Sequence, residues 1–187
     1  MKIFFLLSLI ALSMPSHGQI ATLEKFFGKV SINSNAANAG QSLNSGDKVV
    51  AEGKKSWVQI TFKDGSKMMA RDGIFILKEP VSKKETMIEL IKGVLFTYKS
   101  KGESSLKVKT KNAVMGIRGT KFYVEEKDNE TYLCVCEGKV EISNEAGMEL
   151  VSREEDVHVR PKEKPQKTKA SKNMMSMALE GFAQMGL

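Results

Sequence analysis

The sequence predicts an all-β protein, a single β-sandwich or roll of about 12 short strands, on three observations. From Thr22 to Val159, β-prone runs alternate with Gly/Asp/Asn turns at intervals of about 8–12 residues. Inside those runs, apolar side chains recur at every second position, which is the strand period. The only body segment that could compete as a helix, Lys84–Ile91, is short, ends in Lys92-Gly93, and reads as a strand.

The first element is a signal peptide over residues 1–18. Lys2 is the only charge before Glu24, and Ile3 to Leu12 form an apolar run ended by Pro15. Ser16 and Gly18 then supply small residues at −3 and −1, so cleavage leaves Gln19 as the mature N-terminus. The run is too short for a permanent membrane span, which needs about 18 apolar residues. No cysteine follows it for lipid attachment, and no second long apolar run exists. These features predict a periplasmic or secreted chain, with no transmembrane segment once mature.

The β domain runs from 19 to 160. Its clearest strand is Ser56–Phe62, with Val58, Ile60 and Phe62 on one face. Asp64-Gly65 then signals a hairpin into Lys67–Ala70. Arg71-Asp72-Gly73 reads as the same turning device before Ile74–Leu77, and Lys127-Asp128-Asn129-Glu130 as another between Lys121–Glu125 and Thr131–Glu137. A weak internal repeat pairs Gly28-Lys29-Val30-Ser31-Ile32 with Gly138-Lys139-Val140-Glu141-Ile142, each a strand after a glycine kink.

Pro161 closes the domain. Residues 161–172 are rich in Lys and Pro and read as a flexible basic linker. Residues 173–187 form a Met-rich tail, read as a short helix capped by Asn173, with Met174, Ala178, Phe182 and Met185 on one face and Gly181 and Gly186 weakening it. Such a helix is marginal alone and needs a surface, its own sheet, an identical subunit or a partner, and the tail is read as an arm that docks onto another protein. The formal charge of +7 is concentrated here. From Arg160 onward six basic residues face two acidic ones, leaving the body near +2. A basic tail on an exported chain with few aromatics does not describe a nucleic-acid-binding face.

Several segments carry a resemblance. They are Leu43-Asn44-Ser45-Gly46-Asp47-Lys48-Val49, Ser56–Phe62 with Asp64-Gly65-Ser66, Ala113 to Val124 with its Arg118-Gly119-Thr120-Lys121-Phe122 element, and Val135-Cys136-Glu137-Gly138-Lys139-Val140. In this order, across about residues 26 to 159, they resemble the FecR domain family, periplasmic β-domains of iron-transport regulators and other envelope proteins. Those regulators place a sigma-factor-binding segment and a transmembrane helix before the domain, and neither pattern is present here. The family's Gly-Glu near the last strand is replaced by Arg153-Glu154-Glu155. The resemblance therefore implies the domain and not signalling to a sigma factor.

Enzyme chemistry finds no support. The mature chain has one histidine, His158, no G-x-S-x-G elbow and no phosphate-binding glycine loop, and Glu125-Glu126 and Glu154-Glu155 lie beside turns. Cys134-Val135-Cys136 places two thiols on one strand face about 7 Å apart, too far for a relaxed disulfide. They read first as core residues, with a soft-metal site as the weaker alternative, so no cofactor or metal is expected. Arg118, between Gly116 and Gly119, and Thr120 are candidate ligand or partner contacts, as are Met174, Met175 and Phe182 of the tail. The resulting expectation is a non-enzymatic envelope protein that binds or scaffolds other envelope proteins. The alternative is a ligand sensor or cell-wall binder whose basic tail meets an anionic polymer.

Overall fold

The computed structural model describes residues 18–78, 85–102, 104–117 and 119–187. The signal-peptide reading and Arg118 therefore lie outside the described residues, apart from Gly18. Four strands are long: β1 (Gln19–Ile32), β4 (Lys48–Phe62), β5 (Lys67–Lys78) and β6 (Glu85–Tyr98). Short strands β2 (Asn35–Ala36) and β3 (Ser42–Asn44) follow β1. After β6 come β7 (Ser105–Lys109), β8 (Val114–Ile117), β9 (Lys121–Lys127), β10 (Glu130–Glu137), β11 (Lys139–Asn144), β12 (Gly147–Ser152), β13 (Glu155–Val159) and β14 (Gln166–Lys169). One helix, α1 (Lys172–Gln184), ends the chain. The fold is the predicted all-β one, with fourteen strands among the described residues rather than about 12.

The four long strands fold the sheet on itself. Each bends at one level: β1 at Gly28 (φ 77°), β4 at Gly53 (φ 94°), β5 at Asp72 (φ 40°) and β6 at Gly93 (φ 94°). A Cβ on Gly93 would lie 2.4 Å from the Asp72 carbonyl oxygen and the Gly73 Cα, so the crease admits only glycine there. Gly53 donates its N–H to Asp72 Oδ1 at 3.1 Å, tying two neighbouring bends. Asp72-Gly73 is thus a bend inside β5 and not the hairpin that the sequence suggests. The same positive-φ chemistry serves a bulge or a turn, and Gly93 on the next strand selects the bulge.

Beyond the crease, each half of β6 has a different neighbour. Glu85–Glu89 pair in parallel with β7, while Gly93–Tyr98 pair antiparallel with β9. The first lobe is completed by β7, β8, β11 and β12, and the second by β9, β10, β13 and β14. A straight β6 would run about 43 Å, whereas the link from Tyr98 to Ser105 reaches about 25 Å at most, so the fold-over is obligatory. The inner faces of both lobes share one core. Val49, Phe75, Leu77, Ile88, Val108, Met115 and Ile142 from the first lobe join Leu23, Ile60, Met68, Leu95, Phe122, Val124, Leu133 and Val157 from the second.

The basic segment departs from its reading. The side chains of Gln166–Lys169 are all exposed, as a linker's would be, yet the backbone pairs with β13 as an edge strand. Main-chain hydrogen bonds need no apolar residue, and a lysine-rich, four-residue strand blunts an open edge. The helix cap also differs. Ser171, not Asn173, is the N-cap, and its Oγ accepts from Met174 N at 3.2 Å.

Candidate functional site: the two outer faces

The two lobes differ on their outer sides. On the second lobe, β-pairing aligns Gln59, Met69, Phe96, Tyr123, Cys134 and Asp156 in one row. Helix α1 lies across this row, burying Ala178, Phe182 and Met185. The rings of Phe96 and Phe182 meet edge-on at 5.9 Å, and those of Phe96 and Tyr123 at 5.2 Å. Gly181, which the sequence reads as a weakness, is the contact point: a Cβ there would stand 2.1 Å from the Phe96 ring. Arg71, read from the sequence only as part of a turn, lies over the Phe96 ring at 4.9 Å and hydrogen-bonds to Gln184.

Both thiols lie in this layer. Leu133 and Val135 fill the core face of β10 while Cys134 and Cys136 face the helix, so the strand is buried on both sides as expected. The register against β9 slips between Val135 and Glu137, which makes Cys136 the extra residue of a β-bulge. Cys136 shares with Cys134 the buried cluster beneath α1. A hydrogen bond with Cys136, together with burial, pushes the Cys134 thiol far above its ordinary range. The same bond pulls Cys136 below its own, against burial and with help from the Lys121 charge. Cys134 Sγ also lies 3.6 Å from Met175 Sδ in the first turn of α1.

Among the described residues, no helix covers the outer face of the first lobe. Pairing aligns Lys109, Val114, Ser143 and Met148 in one row, and Lys107, Gly116, Glu141 and Leu150 in the next. Val114, Met148 and Leu150 are exposed at 37%, 57% and 50%. At the end of this face a cleft of about 340 Å³ is lined by Lys109, Lys111 and Lys162 together with Asn112, Val114 and Ser143. The free edge of β12 is not open, because Lys167 Nζ donates to the Leu150 carbonyl at 3.2 Å and Lys164 pairs with Glu149 at 3.3 Å.

The predicted contact residues do not converge. Thr120 is buried against Gly138 and Phe182 against Phe96, so neither reaches the surface. Met174 and Met175 are half-buried in the first turn of α1. His158 contacts the Glu130 carboxylate, which also takes Arg160 Nε at 2.8 Å, and its ring leans on Tyr132 at 4.8 Å.

Among the described residues the protein is thus a creased β-sheet with a helix over one outer face. The family model described as FecR protein matches residues 48–141, half of the chain, and the chain belongs to the FecR family. Two crystal structures of a proposed anti-sigma factor from Parabacteroides distasonis ATCC 8503 share the fold, each with a TM-score of 0.60 at 18% identity. The alignments cover 72% of this chain and 64% and 65% of those chains, so this chain spans somewhat less than two thirds of that protein. No curated protein matches the sequence. Among the described residues, no helix is long and apolar enough to cross a membrane.

Proposed function

We propose that this protein is a non-catalytic, exported module of envelope regulation that binds another protein through the bare outer face of its first lobe. The observation that carries this reading is the set Val114, Met148 and Leu150, in two neighbouring rows of that face and open to solvent. Exposed apolar side chains grouped on one face mark interaction surfaces more often than scattered ones do. Lys107 and Lys109 flank them in the same rows, and Lys111 and Lys162 line the cleft beside them. The complementary partner is a protein segment with apolar side chains followed by carboxylates. Membership of the FecR family and the fold shared with a proposed anti-sigma factor support a regulatory role. The signal-like start of the sequence supports export.

The test is capture from an envelope extract by the mature protein and by a Met148→Glu/Leu150→Glu variant. Both positions are exposed, so the variant should melt within about 2 °C of the parent. The reading expects a captured species that the variant loses, with binding that weakens as salt rises. Equal capture by parent and variant would remove this face from consideration.

A further inference from the structure

We propose that Cys134, Cys136 and Met175 form a binding site for one Cu(I) ion, held by two thiolates and one thioether. The inference goes beyond the partner surface, which lies on the other lobe, and the two fail independently. Its basis is the convergence of three soft donors from two elements. Cys134 and Cys136 of β10 share the cluster beneath α1, and α1 lowers Met175 Sδ to 3.6 Å from Cys134 Sγ. Sulfur ligands about 2.3 Å from a shared metal stand roughly 3.8–4.0 Å apart, so this spacing needs little adjustment to admit an ion.

The donor set selects the ion. Thiolate and thioether sulfur prefer Cu(I), whereas zinc favours a tetrahedral set of thiolate, imidazole or carboxylate ligands. The carboxylate opposite Cys134 in register, Asp156, is already engaged by Tyr132 at 2.8 Å and by Thr168. No cluster of three or more His, Cys, Asp or Glu occurs among the described residues. The first turn of α1, with its positively polarised N–H groups and no acidic residue, bears Met175 itself. Binding needs no redox step: Cu(I) enters, both S–H protons leave to solvent, and the metal keeps its oxidation state. Cys136 is 6% exposed and Met175 half-buried, so entry requires only that the Met175 side chain swing aside.

The test titrates the reduced full chain with Cu(I) alone, without oxygen, against a chromogenic Cu(I) chelator, and counts metal per chain. The expected result is one Cu(I) withheld per chain, with an ultraviolet sulfur-to-copper band, not displaced by tenfold excess Zn(II). Met175→Leu keeps the packing volume and removes the thioether. It should melt like the parent and bind Cu(I) at least about tenfold more weakly. Cys134→Ser/Cys136→Ser should abolish stoichiometric binding. The assignment is overturned if the parent withholds no Cu(I), if Met175→Leu binds as the parent does, if zinc displaces the ion, or if the double variant still holds one equivalent through its other methionines.

Discussion

Lys99 is the one lysine with a side chain almost wholly removed from solvent among the described ion pairs, at 1% exposure. Its ammonium donates to Asp64 Oδ2 at 2.9 Å, to the Ser100 carbonyl at 3.0 Å and to Ser104 Oγ at 3.1 Å. Asp64 thus has two tasks: it sits in the Asp-Gly hairpin that the sequence announces, and it neutralises a buried cation that the sequence does not announce. Burial alone would raise its carboxyl, but hydrogen bonds from Ser104, Lys99 and Ser66 outweigh it and hold the pKa at about 2, below the ordinary 3.8. A depressed folded pKa gives stability that is complete above about pH 4 and is lost as pH falls toward 2. The two partners are unequal, because Asp64 keeps 30% of its side-chain exposure and can be solvated alone. Asp64→Asn strands the buried ammonium and should cost about 3 kcal/mol, the low end for breaking a buried pair. Lys99→Met replaces the buried charge with an apolar chain of similar length and should cost less. Urea denaturation at pH 7 and pH 3 checks both: the order should be as stated, and the deficit of Asp64→Asn should shrink at pH 3. A Lys99→Met variant that is the less stable of the two would contradict this account.

At the scale of elements, the strand pattern was legible and its bends were not. Alternation placed Val58, Ile60 and Phe62 correctly on the core face, and Asp128-Asn129 form the predicted turn with φ values of 50° and 66°. Asp72-Gly73 carried the same local signal yet bends a continuous strand, because the outcome depends on Gly93, which is distant in sequence. The thiol pair was legible as a shared face, but the bulge at Cys136 is a property of the β9 register. The helix face was read correctly from its period, whereas Gly181 was misjudged because propensity is blind to the ring beneath it. That misjudgement is testable. Alanine should favour an isolated helix by about 1 kcal/mol. Here its Cβ would strike the Phe96 ring, and overpacking of this kind costs about 1–3 kcal/mol. Gly181→Ala should therefore lower stability in urea and speed proteolysis at Lys169 and Lys172 as α1 loosens. A stabilised variant would mean that α1 is not seated on Phe96.

At the scale of the molecule, one sheet makes both layers, so the lobes cannot separate without straightening four strands through their shared crease. The helix is different in kind. It is joined through the exposed strand β14 and touches the sheet on one outer face, where Phe182 and Met185 are its large buried side chains. The sequence reads this tail as an arm for another protein, whereas in the structure it packs on the chain's own second lobe. Truncation after Lys169 keeps β14 and removes α1, leaving Met69, Phe96, Tyr123 and Cys134 uncovered. Burying one Phe and one Met contributes about 5 kcal/mol, part of which is offset by ordering a short helix, for a net loss near 3 kcal/mol. In a domain of this size that corresponds to a fall in Tm of roughly 6–12 °C, with increased binding of a hydrophobic dye to the bared row. Because the proposed partner face lies on the other lobe, the truncated protein should still lose capture on Met148→Glu/Leu150→Glu as the full chain does. A truncation that leaves Tm unchanged and abolishes capture would instead assign α1 to the partner, and the first-lobe face would cease to be the binding surface.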